Sequence, residues 1–473
     1  MVGSGGRPVR GHRAASREVC VGITIVQKSD LSKPRPEAKK ALVLAGGAIS
    51  GGAFKLGGLA ALDRFLVNTK VTDFDLYMGI SAGAMLAAPI AGGIAPDELV
   101  EAIIGDPGRV TRFRGIDFYY PNFSEFWSRP ANVIRELATL GPKVALKLLR
   151  GLPRQLPELG SLARDFLADP GLETAERLVD PIVKLVDDGT ARQYGWLPSG
   201  IFDNRRIEQF IRYNLERNGL PNNFRQLKLL RGKSLYIGAT NINTAQGVVF
   251  GHDEDNSVTI SEAVQASTAI PGFFKPARVG PPGREQDYID GAVRKTANIS
   301  VATRHGAQLV LCYNPFRPFV NYRNRLVHAE GNAGGRSSIA DLGMGVILNQ
   351  AFRTLLHSRL RVGIEKLRLD ETFRGDVVLI EPTETDARFF AMNPVAFWTR
   401  AAAAEHGFAS VKQSLAKHYD VLRPIFAAYG IDVDLAPIGE HLRTAKVAPE
   451  PVPLRAAERE KRKPRLRLVS GGR

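Results

Sequence analysis

Ser81 stands in Gly79-Ile80-Ser81-Ala82-Gly83, a Gly-x-Ser-x-Gly pentapeptide. The run Phe74-Asp75-Leu76-Tyr77-Met78 precedes it and Ala84-Met85-Leu86-Ala87-Ala88 follows. A β-like run, a tight glycine turn and an alanine-rich helical run together describe a nucleophile elbow. In such a turn the flanking positions, Gly79 and Gly83, must lack side chains, and the serine Oγ is thrust above the sheet edge. The following helix points unpaired N–H groups at the same spot. That arrangement suits a serine that attacks a carbonyl. The competing reading is a strand-to-helix turn with glycines for geometry alone, so the weight of the pentapeptide depends on its surroundings.

Upstream, Ala41-Leu42-Val43-Leu44-Ala45 reads as a buried strand that runs into Gly46-Gly47-Ala48-Ile49-Ser50-Gly51-Gly52. The stretch from Phe54 to Leu62 then has helical apolar spacing. A glycine-rich turn between strand and helix exposes successive N–H groups to an anion. A dinucleotide or phosphate loop would use it so, and so would an oxyanion hole for a tetrahedral intermediate. The spacing Gly-x-Gly-x-x-Gly fails because Ala48 takes the second glycine's place, and no Gly-Lys-Ser/Thr closes a P-loop. An oxyanion hole asks only for donors, which Gly46, Gly47 and Ala48 can supply. A turn with no chemical role remains the plain alternative.

Downstream, Gln286-Asp287-Tyr288-Ile289 leads into Asp290-Gly291-Ala292, and Ala266-Ser267-Thr268-Ala269-Ile270-Pro271 lies just before. With these residues the chain resembles the patatin-like phospholipase family. That family's pattern is a strand ending in a glycine-rich oxyanion turn, a Gly-x-Ser-x-Gly elbow, an Ala-Ser-x-Ala-x-Pro helix end, and Asp-Gly-Gly/Ala. All four occur here in order, over residues 40–315. The resemblance implies a Ser–Asp dyad in which Ser81 is the nucleophile and Asp290 the proton acceptor, with Gly291 as the glycine of the dyad turn. It also implies that Gly46, Gly47 and Ala48 form the oxyanion hole. The family's turn usually reads Gly-Gly-Gly-x-Arg/Lys-Gly, whereas here Ala48 replaces the third glycine and Ser50 the basic residue. Either the hole is distorted by this, or Lys55 or another cation compensates.

A carboxylate is a poor base for a hydroxyl unless its surroundings raise its proton affinity. Burial against the elbow, beside Tyr288 and Ile289, is expected to supply that. The rival within enzymes is a Ser-His-Asp triad. His252, His305, His357, His406 and His418 all follow the elbow, but none carries a motif of its own. His252 falls in the turn-like Gly251-His252-Asp253-Glu254-Asp255-Asn256, read as a solvated hairpin tip.

The elements that must hold these residues follow from the same pass. Strand, turn and helix alternate over 40–67 and 73–92. Further strands are expected at Ser234–Thr240, Leu309–Tyr313 and Val377–Ile380, with helices over 339–369 and 394–429. The alternation predicts an α/β fold, a three-layer α/β/α sandwich with a mostly parallel central sheet. The expected division is a basic tail over 1–37, a catalytic domain over 38–385, C-terminal helices packed on it over 386–442, and a second basic tail over 443–473. Within the catalytic domain, residues 94–232 form a helical insertion. It holds the aromatic cluster Tyr119–Phe123, Phe126 and Trp127, and residues 109–154 carry nine Lys/Arg against three Asp/Glu. Interleaved apolar and basic residues suit a cap over an acyl chain or an interfacial docking surface; helices with a solvated basic face are the alternative.

With 473 residues, 44% of them hydrophobic, the chain can bury a large core, and general disorder is excluded. The net charge of +16 sits mainly at the ends, +6 over residues 1–40 and +7 over 443–473. Such tails are drawn to anionic membranes, at about 1 kcal/mol per basic residue near the surface. They carry no aromatic interleaving and no nucleic-acid module, so a nucleic-acid partner is not expected. The apolar stretch Met85–Pro96 is too short to span a bilayer, and no standard signal peptide is visible. Cys20 and Cys312 are the two cysteines, and a structural disulfide is not expected. A cytoplasmic location follows, peripheral on the inner face of the membrane, with export without a cleavable signal left open. No metal or cofactor is called for. The expected function is a lipid acyl hydrolase acting on phospholipids or related lipids; a catalytically silent lipid- or partner-binding protein and a lipid acyltransferase are the alternatives. Oligomeric state is not legible.

Overall fold

A computed structural model of the chain describes residues 22–104, 108–125, 198–321 and 338–442, together with a few positions between 128 and 177. Residues 1–21 and 443–473 of the basic tails, and about half of the 94–232 insertion, Phe126 and Trp127 included, lie outside the described residues. Described strands in chain order are β1 (Ile23–Gln27), β2 (Lys40–Leu44), β3 (Leu76–Ile80), β4 (Gly200–Phe202), β5 (Ser234–Asn241) and β6 (Gly247–Gly251). They continue with β7 (Gly272–Phe274), β8 (Ala277–Val279), β9 (Gln286–Asp290), β10 (Leu309–Tyr313) and β11 (Asp376–Ile380).

Nine of them form one sheet in the order β1-β11-β10-β2-β3-β5-β9-β8, with β6 also on β5. The central run β11, β10, β2, β3 and β5 is parallel throughout. Central parallel strands are covered on both faces, so they read as unbroken apolar runs rather than as alternation. β3, β10 and β11 are buried at every position. Successive residues nevertheless feed two different cores. Leu42, Leu44, Tyr77, Leu311 and Tyr313 face a large core built with helices α1 (Ala48–Phe65) and α2 (Ala82–Ala91). Ala41, Val43, Met78, Val310 and Cys312 face a second one, packed by Val301, Leu360 and Ile364 from helices Ile299–Arg304 and Met344–Leu369. Two cores on one sheet make the three-layer α/β/α sandwich.

The helix Arg400–Lys417 lies against α1, contributing Ala403, Ala404, Phe408 and Val411 to the large core. One boundary needs correction. The tail expected over 1–37 contains β1, which pairs antiparallel with β11 from Ile23↔Ile380 to Gln27↔Asp376. Ile-Thr-Ile-Val is a good strand segment, and its edge position asks for burial on one side only. The basic residues around it hid a segment that completes the sheet.

Candidate active site

The two motifs 209 positions apart in sequence meet because of one strand. β3 pairs with β5 up to Ile80↔Gly238 and stops there. The next residue of β5, Ala239, pairs with Val248 of β6 on one edge and with Asp290 of β9 on the other. β9 therefore takes over the edge of β5 at the point where β3 turns away. Ser81, the residue after Ile80, and Asp290 are left side by side.

Ser81 sits between β3 and α2 with φ 55° and ψ −128°, a backbone shape that costs a non-glycine residue about 1–3 kcal/mol. Steric closure explains its glycines. A Cβ on Gly83 would lie 2.1 Å from Leu44 O, and one on Gly79 would lie 2.5 Å from Ala84 Cα. The serine is held from below: its N–H donates to Ser267 Oγ at 2.8 Å, and that hydroxyl donates to Gly238 O at 2.6 Å. Ser267 belongs to the Ala-Ser-x-Ala-x-Pro stretch, yet sequence alone gave it no role. It ties the end of the helix Ile260–Thr268 to both the elbow and β5.

Asp290 is 5% exposed. Its backbone N–H donates to Ala269 O, and its Oδ1 accepts from Ala292 N–H at 2.8 Å. Burial raises its pKa from 3.8 to about 6. Hydrogen bonding from the Ser81 side chain and the Ala292 N–H, and the charge of Lys55, hold it below where burial alone would take it. The expected proximity of Ser81 and Asp290 is thus present. Gly291 follows in a short 3-10 turn, where a Cβ would strike Gly238 O at 2.3 Å.

The turn Gly46–Ala48 packs on the elbow, with the Cβ position of Gly46 3.3 Å from Ser81 Cβ. Gly47 has φ 156° and Ala48 has φ 49°. The N–H groups of Ile49 and Ser50 donate to Pro394 O at 3.0 and 3.1 Å. Those of Gly46, Gly47 and Ala48 find no acceptor among the described residues. They are the three expected as the oxyanion hole. Ser50 is 1% exposed, and Lys55, the cation named as a compensator, is fully buried beside the turn. Pro394, which caps α1, carries no sequence signal that could have found it.

Ser81 also lines an apolar cavity of about 110 Å³. Ile49, Met85, Leu86, Phe113, Phe210 and Phe397 are among its walls. Its polar neighbours are already occupied: Asn214 bonds Thr111 and Phe210 O, and Arg400 bonds Ile103 O and Phe397 O. An unbranched hydrocarbon suits such walls.

None of the candidate histidines has a bond to Ser81 among the described residues. His357 is beside Glu381, His406 bonds Asp386 at 2.8 Å, and His418 bonds Ser414 O. His252 and His305 gather around Asp253 and Glu254 at the amino ends of the strands, with Tyr236. His252 is half-buried there, not at a solvated tip, because its ring packs near Tyr236. Cys312 lies in β10, and burial pushes its thiol far up. Among the described residues no group of three His, Cys, Asp or Glu could hold a metal, and no helix is long and apolar enough to cross a membrane.

A family model described as Patatin-like phospholipase matches residues 42–303, more than half of the chain. Among solved structures, the chain is similar to VipD from Legionella pneumophila, at 16% identity over 84% of this chain and 70% of that one, with a TM-score of 0.33. It is also similar to a structure of full-length SpcU in complex with full-length ExoU from the type III secretion system of Pseudomonas aeruginosa. That match has 16% identity, covers 86% of this chain and 64% of the other, under two thirds of its length, and has a TM-score of 0.24. No curated protein matches the chain.

Proposed function

The chain belongs to the patatin-like phospholipase family, and from that premise we propose that it is a serine ester hydrolase cleaving fatty-acyl esters of phospholipids or related lipids. Lipid hydrolysis in general comes with the family. The finer assignment is supported by one observation above all: Ser81 abuts a buried Asp290 carboxyl and lines an apolar cavity.

In this reading the acyl chain enters the cavity and its ester carbonyl lies over Ser81. Asp290 accepts the hydroxyl proton as Oγ attacks. A carboxylate with a pKa of about 6 is still mostly ionised at pH 7, and it is a stronger base than an exposed aspartate. The N–H groups of Gly46, Gly47 and Ala48 hold the oxyanion; one such donor is worth roughly 100- to 1,000-fold in rate. Asp290 returns its proton to the leaving alcohol, which departs as a lysolipid. Water, deprotonated by Asp290, then attacks the acyl-serine; the fatty acid is released as the bond to Ser81 Oγ breaks, and Asp290 returns the proton to that oxygen. The substrate would be drawn from a lipid surface, with the basic tails assisting contact with anionic membranes.

A fluorophosphonate probe and a mixed lipid extract test this together. The wild type should label at Ser81 and release fatty acid and lysolipid in equal amounts by mass analysis, and S81A should do neither. Ester hydrolysis by purified S81A at the wild-type rate overturns the assignment.

A further inference from the structure

Lys55 lies within α1, between Phe54 and Leu56, with no exposed surface. A buried ammonium loses its hydration, so proteins bury one only where it finds partners. The partners here are backbone carbonyls. Lys55 Nζ donates to Ala45 O and to Gly46 O, the second at 3.0 Å. These carbonyls lead into the turn, where the N–H groups of Gly46, Gly47 and Ala48 find no acceptor among the described residues.

A trans peptide is planar, so its carbonyl and its N–H point to opposite sides. Ala45 O shares a peptide with the Gly46 N–H, and Gly46 O shares one with the Gly47 N–H. The third peptide joins Gly47 O to the Ala48 N–H, and that carbonyl accepts from Gly51 N–H at 2.9 Å. Each of the three donors therefore points away from a carbonyl that is tied down. Two of the three ties are made by one side chain.

We propose that Lys55 is a positioning residue of this site: it clamps the carbonyls of Ala45 and Gly46 and thereby aims the N–H groups of Gly46 and Gly47 at the oxyanion formed over Ser81. The inference rests on the serine hydrolase reading above. It also accounts for the missing cation at position 50. Ser50 is buried with its N–H on Pro394 O, leaving that position no free reach toward the turn. One turn of helix later, Lys55 approaches the same loop from beneath. Its charge acts on Asp290 too, opposing the upward push of burial on that carboxyl. Asp290 and the Cys312 thiol are the titratable groups that act in turn on Lys55. Burial brings the lysine down to about 7. The neutral amine still carries two N–H groups, so the clamp survives its deprotonation.

K55M keeps the length and bulk of the side chain and removes both donors and charge. Its kcat on a soluble nitrophenyl ester should fall about 100-fold, the loss expected for a misaimed oxyanion donor, with KM changed less than about threefold. The rate of fluorophosphonate labelling at Ser81 should fall in parallel. The acid limb of kcat/KM should move to higher pH, because a cation that favours ionised Asp290 has gone. K55Q restores an NH2 donor group on a shorter stem without the charge; it should recover part of kcat and leave the limb displaced. It also carries the comparison if K55M fails to unfold cooperatively. A merely structural lysine would alter melting temperature and the yield of active protein and leave kcat per labelled site unchanged, even where loss of its charge moves the limb. A wild type that labels at Ser81 beside K55M and K55Q proteins with wild-type kcat and an unmoved limb overturns the role of Lys55 alone. A wild type that neither labels nor hydrolyses overturns the serine hydrolase reading, and this inference with it.

Discussion

The elbow at Ser81 and the turn at Gly46–Ala48 do similar geometric work in different ways. Each joins the carboxyl end of a parallel strand to a helix, and each holds one non-glycine residue at positive φ, 55° at Ser81 and 49° at Ala48. The elbow is determined by steric closure at its own glycines. Its glycines have nowhere to put a Cβ, with Leu44 O and Ala84 Cα already in place, and one hydrogen bond donated by the Ser81 N–H to Ser267 completes it. The oxyanion turn is held from elsewhere: by Lys55 within α1, by Pro394 at the α1 N-terminus, and by Pro315 against Gly47. The difference teaches where each turn should break. The elbow should fail at its own residues, the turn at its remote supports.

The largest effect lies on the elbow's partner. D290N keeps the shape of the carboxylate and removes the base, and should lower kcat by about 100- to 10,000-fold, the range of a positioned general base. The same change should raise stability. Burial lifts the Asp290 pKa from 3.8 to about 6, so the folded state holds this proton more tightly than the unfolded one. Keeping the group ionised in the fold therefore costs stability that appears as pH rises through 4 to 6, up to about 3 kcal/mol at neutral pH. Chemical denaturation of D290N and wild type should show the variant more stable at pH 7 and level with wild type below pH 4. A less stable D290N would mean that Asp290 is chiefly a structural cap for Ala292.

G83A comes next and tests the local half of the comparison directly. The new methyl would stand 2.1 Å from Leu44 O, and neither backbone can retreat without opening β2 or α2. Overpacking of this kind costs about 1–3 kcal/mol. Ser81 would be displaced with it, so labelling by a fluorophosphonate should fall at least tenfold in the protein that remains folded. Normal labelling would show that the elbow tolerates more than its geometry suggests.

How much of this was legible in the sequence follows the same division. Ser81, Asp290, Gly79, Gly83 and Gly291 could be read because each is carried by a short local pattern: a glycine turn, a strand end, a helix start. The sandwich was legible because its central strands are short apolar runs bounded by glycines. The supports of the oxyanion turn were not. Pro394 reaches Ile49 across 345 positions in sequence, and no pattern at either end announces the contact. Ser267 was visible as part of a motif, but its bonds to Ser81 and Gly238 depend on the order of β3, β5 and the helix before β9. β1 was missed because charge in the first 40 residues suggested a tail, while strand pairing depends on a few consecutive β-formers at a free edge. Lys55 was named only as a cation that could compensate at the turn; its aim at two carbonyls depends on how α1 lies against that turn.

The pH profile gives a smaller and more continuous test. Asp290 acts as a base only when ionised, so kcat/KM should be level above about pH 6 and fall tenfold per unit below it. An exposed aspartate would move that limb down toward 4, and a histidine base would move it up toward the imidazole range near 6.5. Because about 6 and 6.5 lie close, the limb is best measured beside H357A, H406A and H418A, all of which should leave it in place.

The smallest effect belongs to the turn itself, and its sign separates local from remote control. Ala48 at φ 49° bears the left-handed penalty of a residue with a Cβ, about 1–2 kcal/mol. A48G removes that penalty. It returns about 0.5–1 kcal/mol through the greater freedom of glycine in the unfolded chain, and it gives up a half-buried methyl at the cavity wall. These terms nearly cancel, so stability should change by less than about 1 kcal/mol. If Lys55, Gly51 and Pro394 set the conformation, the glycine will be held in the same shape and kcat should stay within about twofold. If the turn depended on its own side chain, the added freedom would let the donors drift and kcat would fall tenfold or more. A large loss in A48G, measured with a soluble ester beside G83A, would erase the contrast between the two turns; a near-silent A48G beside a crippled G83A would make it quantitative.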